Sequence, residues 1–459
     1  MIRGVIVLVF RRKAYDKLLT WKKECNGTKA ILVEGARRIG KSTIVEEFAK
    51  NEYKSYILID FAKAGNNVTK AFLQYKNHLD DLFMFLSLEY GKKLYERESV
   101  IIFDEVQKFP TAREMIKYLV ADGRYDYIET GSLISIKENV QDILIPSEER
   151  KLKMFPLDFE EFCWAFEQEL LVDYIKDCFA KRIPLVREMH DKAMLLFKQY
   201  MLVGGMPKCL AVYLAGNRDF EAADIEKRDI LSLYRDDIQK INTKYKSKVL
   251  SVYEQIPGFL SKHEKRVILS RIAAGSTIDQ YDETFFWLGN SMICNECFSC
   301  TDPNVGLSLN EDRSFIKCYM GDTGLLVSHA FEQSEIADGE IYKQILHDNL
   351  SINKGMLFEN AVAQALTAKG YKLFFYTHYS EEKHRNDMEI DFILSNGSKI
   401  KPKIYPVEVK SGKKYTTTSL DSFIKKYHDR IGEAYIIHPK NLTVKNNILC
   451  IPVYMTMCL

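Results

Sequence analysis

The sequence lacks an apolar run long enough to cross a bilayer. Its N-terminal stretch Gly4 to Phe10 offers seven residues and is followed at once by Arg11, Arg12 and Lys13. A spanning helix needs about 20 residues, and a charge cluster after the apolar segment is the wrong order for a secretion signal. The stretch reads as a first strand or a loose leader. Net charge is also nearly absent: 65 Lys and Arg against 63 Asp and Glu leave +2, so any basic surface has to be local. The ten cysteines lack the spacing of a disulfide framework, which points to reduced thiols in a cytoplasmic protein. What is present, 46% hydrophobic and 28% charged residues over 459 positions, suits a globular chain of about three domains.

The stretch ILVEGARRIGKS, Ile31 to Ser42, organises the rest. A β-branched apolar segment, Ile31 to Val33, leads through Gly35, Ala36, Arg37, Arg38, Ile39 and Gly40 into Lys41, Ser42, Thr43 and a helical pattern. This is GxxxxGK[ST] with a strand before it and a helix after it. Glycines let backbone N–H groups close around phosphate oxygens, Lys41 supplies a point charge near the β and γ phosphates, and Ser42 offers a hydroxyl to Mg²⁺. ATP and Mg²⁺ are the cofactors this implies. Downstream, Val100 to Phe103 is the continuous apolar run of a buried parallel strand, ending in Asp104 and Glu105. Asp104 is expected to hold the Mg²⁺ and Glu105 to orient or deprotonate the attacking water.

Around these motifs apolar runs alternate with helical patterns. The spacing predicts a short helix at Tyr15–Trp21, a strand at Tyr56–Asp60, one long helix over Ala71–Tyr90, a helix near Ala112–Val120 and a strand at Asp126–Thr130. Such alternation builds a parallel sheet with its ligand at the carboxyl ends of the strands. Thr130 and Ser132 fall at such an end, as phosphate-sensing groups or as a simple turn. In the charged stretch that follows, Arg150 is the candidate for a cation reaching a phosphate on a neighbouring subunit, or else a solvated surface arginine. A helical region from Leu170 to Tyr213, interrupted at Gly204, Gly205, Met206 and Pro207, is expected to form a lid.

Between Asp229 and Leu326 the pattern predicts three helices (Val249–Leu260, Glu264–Ala274, Thr277–Leu288, with Gly275 and Ser276 at the middle junction) and a hairpin (Met292–Phe298, Phe315–Met320). Three helices and a hairpin describe a winged helix. Its third helix carries acids and no Lys or Arg, which favours a scaffold over a DNA reader. Cys294, Cys297 and Cys300 form CxxCxxC, to which Cys318 or His329 could add a fourth metal ligand. The alternative is small hydrophobic core residues.

The last segment predicts a helix over Gly355–Lys369 carrying Glu359, then strands at Lys372–Tyr376, Glu389–Leu394 and Ile404–Lys410. Asp391, Glu408 and Lys410 give D…ExK. Two carboxylates near each other bind Mg²⁺ and a lysine beside them can position water at a scissile phosphate. Glu359 could complete the set, and a salt-bridged charge cluster is the alternative. Lys399 to Lys445 holds eleven Lys and Arg against four Asp and Glu, a local basic surface that suits nucleic acid.

Taken in order, ILVEGARRIGKST, IIFDEVQKFP, YIETGSLIS, PLDFEEF, YMLVGGMP, YMGDTGLL, GMLFEN, EIDFIL and YPVEVKSG resemble bacterial and archaeal AAA-type ATPases with a C-terminal PD-(D/E)xK nuclease-like domain. The resemblance implies an α/β P-loop ATPase domain at 14–165, a helical lid at 166–228, a winged-helix-like domain at 229–330 and an α/β restriction-endonuclease-like domain at 350–459. It implies catalytic roles for Lys41 and Glu105, with Asp391, Glu408 and Lys410 as nuclease residues. It places Mg²⁺ on Ser42 and Asp104, and a second ion on Glu359, Asp391 and Glu408. Such ATPases often form rings, so a homo-oligomer is expected, with DNA as partner and no membrane. The rival reading is a nucleotide-controlled switch or assembly ATPase whose C-terminal domain only binds a partner.

Overall fold

Apolar runs place four parallel strands side by side at the start of the chain, and a charged stretch adds a fifth at the edge. The computed structural model describes residues 8–132, 147–241, 243–262, 265–269, 272, 277–332, 339–346, 353–382, 384–396, 403–412 and 414–459. They divide into two units, one formed by the chain up to Phe155 and the other by most of the chain from Pro156 onward.

The first unit begins with α1 (Lys13–Cys25), β1 (Ala30–Glu34), α2 (Lys41–Glu52) and β2 (Ser55–Asp60). It continues through α3 (Asn66–Gln74), α4 (Leu79–Tyr90), β3 (Ser99–Asp104), α5 (Pro110–Asp122), β4 (Asp126–Gly131) and β5 (Glu149–Lys153). The sheet order is β2-β3-β4-β1-β5 and every pairing is parallel. Strands β1, β3 and β4 are buried along their whole length, as parallel strands covered on both faces must be. Phe61, Phe72, Phe103 and Phe109 pack edge to face or tilted over one side.

Three expectations are corrected here. The single helix over Ala71–Tyr90 is two, α3 and α4, parted by the polar turn Tyr75–His78. The charged stretch at Arg150 is a strand, β5, in which Leu152 is the buried residue; at a sheet edge one face needs little apolar area, so no apolar alternation announces it. At the N-terminus, residues 8–10 form no strand, and the rest of that stretch lies outside the described residues.

Beneath β4 and β5 lies a buried charge group. Arg113 on α5 donates to both carboxylate oxygens of Glu149, at 3.1 and 3.0 Å. Burial first, and the neighbouring Glu149 carboxylate second, push the fully buried Glu129 carboxyl well above its usual range.

The second unit opens with a helical series: α6 (Phe159–Ala165), α7 (Glu169–Lys181), α8 (Arg187–Val203), α9 (Pro207–Ala215), α10 (Phe220–Gln239), α11 (Thr243–Leu260) and α12 (Asp282–Asn290). Then come β6 (Cys294–Cys300), β7 (Glu311–Met320), α13 (Thr323–Ala330), α14 (Gly339–Leu346), α15 (Lys354–Ala368), β8 (Leu373–Ser380), β9 (Arg385–Ile390) and β10 (Phe392–Asn396). It closes with β11 (Lys403–Val409), α16 (Thr418–Lys426), β12 (Ala434–His438), β13 (Thr443–Lys445) and β14 (Ile448–Pro452). One sheet runs β10-β11-β12-β14-β13 and another β7-β6-β8-β9.

The expected wing is β6 with β7, but β6 also pairs in parallel with β8. The hairpin therefore belongs to a sheet shared with the C-terminal strands and does not stand free. Residues 265–268 of the expected middle helix are not helical; Val267 N donates to Ile316 O on β7 at 2.9 Å. Gly275 and Ser276 lie outside the described residues. The expected strand Glu389–Leu394 breaks at Asp391 into β9 and β10, which belong to different sheets.

Four scattered motifs meet at one buried carboxylate. Asp322 Oδ2 accepts from Gly205 N at 2.6 Å and from Gln364 Nε2 at 3.3 Å, and Oδ1 accepts from Leu325 N at 2.9 Å. Gln364 also donates to Tyr200 OH at 3.0 Å, which in turn donates to Leu157 O at 3.0 Å. Leu157 N returns to Gly205 O at 2.7 Å. A Cβ added at Gly324 would lie 2.5 Å from Gly204 Cα, so this crossing of α8 and α13 admits only glycine. The following helix α6 starts on a capping box, Asp158 with Glu161, as D-x-x-E before an apolar pair dictates.

Glu129 titrates against folding. A carboxyl whose folded pKa is raised contributes stability that is complete below the unfolded value and is lost as pH rises. Glu129→Gln should therefore unfold at a Tm that gains on the wild type as pH is raised from about 5 to 9, measured by thermal unfolding across that range.

Candidate functional site

Parallel pairing brings the ends of β1, β3 and β4 to one edge, with Val33 beside Thr130 and Phe103 beside Glu129. The loop Gly35–Gly40 leaves β1 at that edge and turns into α2. Gly40 has φ +89°, a left-handed conformation that glycine adopts without strain. Ser42 Oγ donates to Asp104 Oδ1 at 2.7 Å. Thr130 Oγ1 donates to the same oxygen. Lys41 is buried and its Nζ donates to Gly35 O at 3.1 Å and Ala36 O at 2.8 Å. Burial pulls its pKa down to about 8 against the pull of Glu105 and Asp104.

Glu105 follows β3 with φ +54°. For a glutamate this is a strained backbone of order 1 kcal/mol, and it is held by a short 3₁₀ turn in which Gln107 Nε2 donates to Glu105 Oε2 at 2.5 Å. Arg12 braces the loop from below: its Nη1 donates to Ile39 O at 3.0 Å and its Nη2 to Phe155 O at 2.7 Å. Neither Gln107 nor Arg12 was expected at the site, although Gln107 lies within IIFDEVQKFP and Arg12 is one of three cations ahead of a helix. Met154 N donates to Glu34 O at 2.8 Å, closing the same edge. Of the remaining expected loop residues, Ala36 and Ile39 are buried, Arg37, Ser42 and Thr43 half-buried and Arg38 exposed. Ser132 is buried just past β4.

Arg150 is elsewhere. It lies beside Ile31 in the sheet register, three residues short of the phosphate loop, and pairs with Glu24 at 2.7 Å. This placement, near the amino end of the strand, sets it away from the phosphate loop of its own chain.

In the second unit Asp391 lies beside the strand that carries Glu408 and leads into Lys410, and Glu359 is held by two lysines and a tyrosine. Glu359 on α15 is buried, with Oε1 accepting from Lys317 Nζ at 3.2 Å and from Tyr319 OH, and Oε2 accepting from Lys265 Nζ. Lys317 Nζ also lies 3.8 Å from Asp391 Oδ1 and 4.0 Å from Glu389 Oε1. Asp391 Oδ2 accepts from Val409 N at 2.8 Å. Glu408 pairs with Lys410 at 2.5 Å. Burial would raise the pKa of Glu359, yet Lys317 and Lys265 hold it below the usual range. Burial, followed by the Glu359 charge, raises Asp391, and burial raises Glu408 to about 7 against Lys410. Lys265 and Lys317 both come from the middle of the chain, Lys265 from a residue with φ +51°, and were not expected.

Among the described residues, the one group of three carboxylate, imidazole or thiol side chains with ligand atoms within 4.8 Å of one another is Glu254, His329 and Glu332. Arg235 already pairs with both of those glutamates. Glu359, Asp391 and Glu408 form no such group, and neither do Cys294, Cys297 and Cys300, which are buried along β6. A spacing of three puts Cys297 on the strand face opposite its neighbours, as small core residues allow and a metal cage does not.

A strand, phosphate loop and helix joined to an acidic strand end in a five-stranded parallel sheet define a P-loop nucleotide-binding fold. Residues 27–163 match the family model described as an AAA domain, so the chain carries an AAA-type ATPase domain. Residues 194–335 and 354–455 match two domains of unknown function, DUF8612 and DUF4143. No curated protein matches the chain in sequence. Similar solved structures include a Walker-type ATPase of Pyrococcus abyssi, 16% identical with TM-score 0.42 over 70% of this chain and 96% of that one. AMPPCP-bound DnaA from Aquifex aeolicus is 11% identical with TM-score 0.28, over 61% of this chain and 87% of its own. The Holliday junction branch migration motor RuvB of Thermotoga maritima is 13% identical with TM-score 0.28, over 62% and 89%. No helix among the described residues is long and apolar enough to cross a membrane.

Arg12→Ala removes two hydrogen bonds from a charged, buried donor. It should lower stability by roughly 2–4 kcal/mol, read as a fall in the denaturation midpoint, and Arg12→Lys should recover only part of it because one ammonium cannot reproduce the fork.

Proposed function

We propose that the chain is a Mg²⁺-dependent ATPase that hydrolyses ATP at the Ser42–Asp104 edge and couples hydrolysis to nucleic-acid binding by its C-terminal segment. The observation that carries the ATPase reading is the 2.7 Å hydrogen bond from Ser42 to Asp104, with Thr130 on the same oxygen. A hydroxyl and a carboxylate side by side are hard oxygen donors of the kind Mg²⁺ takes, and the ion when bound neutralises charge on the β and γ phosphates. Loop N–H groups from Gly35 to Thr43 cradle the phosphates. Lys41 turns from the loop carbonyls to the β and γ oxygens. Glu105, steadied by Gln107, orients the attacking water and accepts its proton. Thr130 holds Asp104 in place and lies where a γ-phosphate would be sensed.

Nucleic-acid binding is supported by the excess of Lys and Arg from residue 399 to 445, a charge pattern that draws polyanions by counterion release. We extend to this segment the PD-(D/E)xK-like fold that its motifs resemble. A second reading, a nucleotide-controlled switch whose C-terminal segment binds a protein partner, is favoured by the lysines that already neutralise Glu359.

The deciding experiment is ATP turnover with and without DNA. Glu105→Gln should keep ATP binding and lose at least about 100-fold in kcat, and Lys41→Ala should lose binding itself. Stimulation of the wild type by DNA supports coupling to nucleic acid, and indifference to DNA supports the switch. Gln107→Ala should lower kcat several-fold with KM unchanged, since it touches Glu105 and not the nucleotide.

A further inference from the structure

The acidic cluster of the second unit is expected, from D…ExK and Glu359, to hold a divalent ion, and the donor geometry does not fit one. Mg²⁺ demands near-octahedral oxygen donors at short range, most of them unencumbered. Both oxygens of Glu359 are instead occupied, one by Lys317 and Tyr319 and the other by Lys265. Lys317 is fully buried and its ammonium lies within 4.0 Å of three carboxylates, Glu359, Asp391 and Glu389. Lys265 is largely buried as well. A divalent ion added beside two buried ammonium groups would meet their repulsion in a poorly screened interior. Glu408, the remaining expected ligand, pairs through Oε1 with Lys410 at 2.5 Å, and its Oε2 is buried without a hydrogen-bond partner.

We propose that Lys265 and Lys317 stand where the fold pattern implies a metal ion, so that this unit binds no Mg²⁺ or Mn²⁺ at Glu359 and Asp391. The two ammonium groups act as resident counter-ions that hold α15, β7 and the β9–β10 junction together. This assignment is independent of the ATPase reading, because the residues and the readout are separate.

The test uses the full chain carrying Ser42→Ala, which weakens metal binding at the nucleotide edge, in the absence of nucleotide. Bound Mn²⁺ is followed by electron paramagnetic resonance, with thermal unfolding as second readout. No tight site is expected, and about 10 mM Mn²⁺ should leave Tm within about 1 °C of its metal-free value, whereas a site with Kd below about 1 mM would raise it by more than that. Glu359→Gln should lower Tm equally with and without Mn²⁺. Lys317→Met combined with Lys265→Met should create a Mn²⁺ site that Asp391→Asn removes. If that double variant does not fold, the comparison of Ser42→Ala with Ser42→Ala/Asp391→Asn still decides. A Mn²⁺ site present in the first and absent in the second overturns the proposal, and no Mn²⁺ site in either upholds it.

Discussion

One oxygen of Asp104 accepts hydrogen bonds from both Ser42 and Thr130, and the first unit is built so that it can. The three residues come from α2, β3 and β4, and only a parallel sheet with β3, β4 and β1 adjacent delivers all three to one edge. The apolar length of each strand then has a mechanical meaning. A shift of one residue in any register would carry its polar terminus about 3.3 Å from the shared point and turn its side chain to the other face. Around this point the loop carbonyls are tied by two charged donors, Arg12 on Ile39 and Lys41 within the loop itself.

The second unit buries charge at several centres, two of which involve the motif residues Asp322 and Glu359. At Asp322 the carboxylate is satisfied by two backbone N–H groups and a glutamine, while at Glu359 it is satisfied by two lysines and a tyrosine. Burying a charged group without partners costs several kcal/mol, so each centre fixes which helices and strands may lie beside it. Residues widely separated in the chain, from Leu157 to Gln364, close the Asp322 network.

The phosphate loop, the acidic strand end and the core of the parallel sheet were legible because each is a local pattern: a spacing, an apolar run, a terminal acid. The capping box at Asp158, though equally local, was not read from the sequence. What could not be read is whatever depends on tertiary pairing. Strand β5 has one buried residue and looks like a solvated charge run. Arg12 and Gln107 act through contacts made only when the loop has closed. The D…ExK residues were correctly seen as neighbours, with Asp391 bonded to Val409 N beside Glu408. Their partners Lys265 and Lys317 lie 94 and 42 residues ahead of Glu359, and the pairing of β6 with β8 that joins the middle segment to the C-terminal sheet leaves no periodic trace in sequence.

That shared sheet bears on how such a chain could have been assembled. Residues 354–455 look like a transferable cassette, with a helix at the front and seven strands, five of which form a sheet of their own. Yet β8 takes β6 as its parallel neighbour, and Glu359 takes both of its ammonium partners from residues ahead of the cassette. Moved alone into another protein, the segment would carry a buried anion with nothing to balance it and an unpaired strand edge. Recombination that kept the fold intact would have to move the hairpin and the two lysines along with it, so the heritable module is longer than the segment that its sequence motifs mark out.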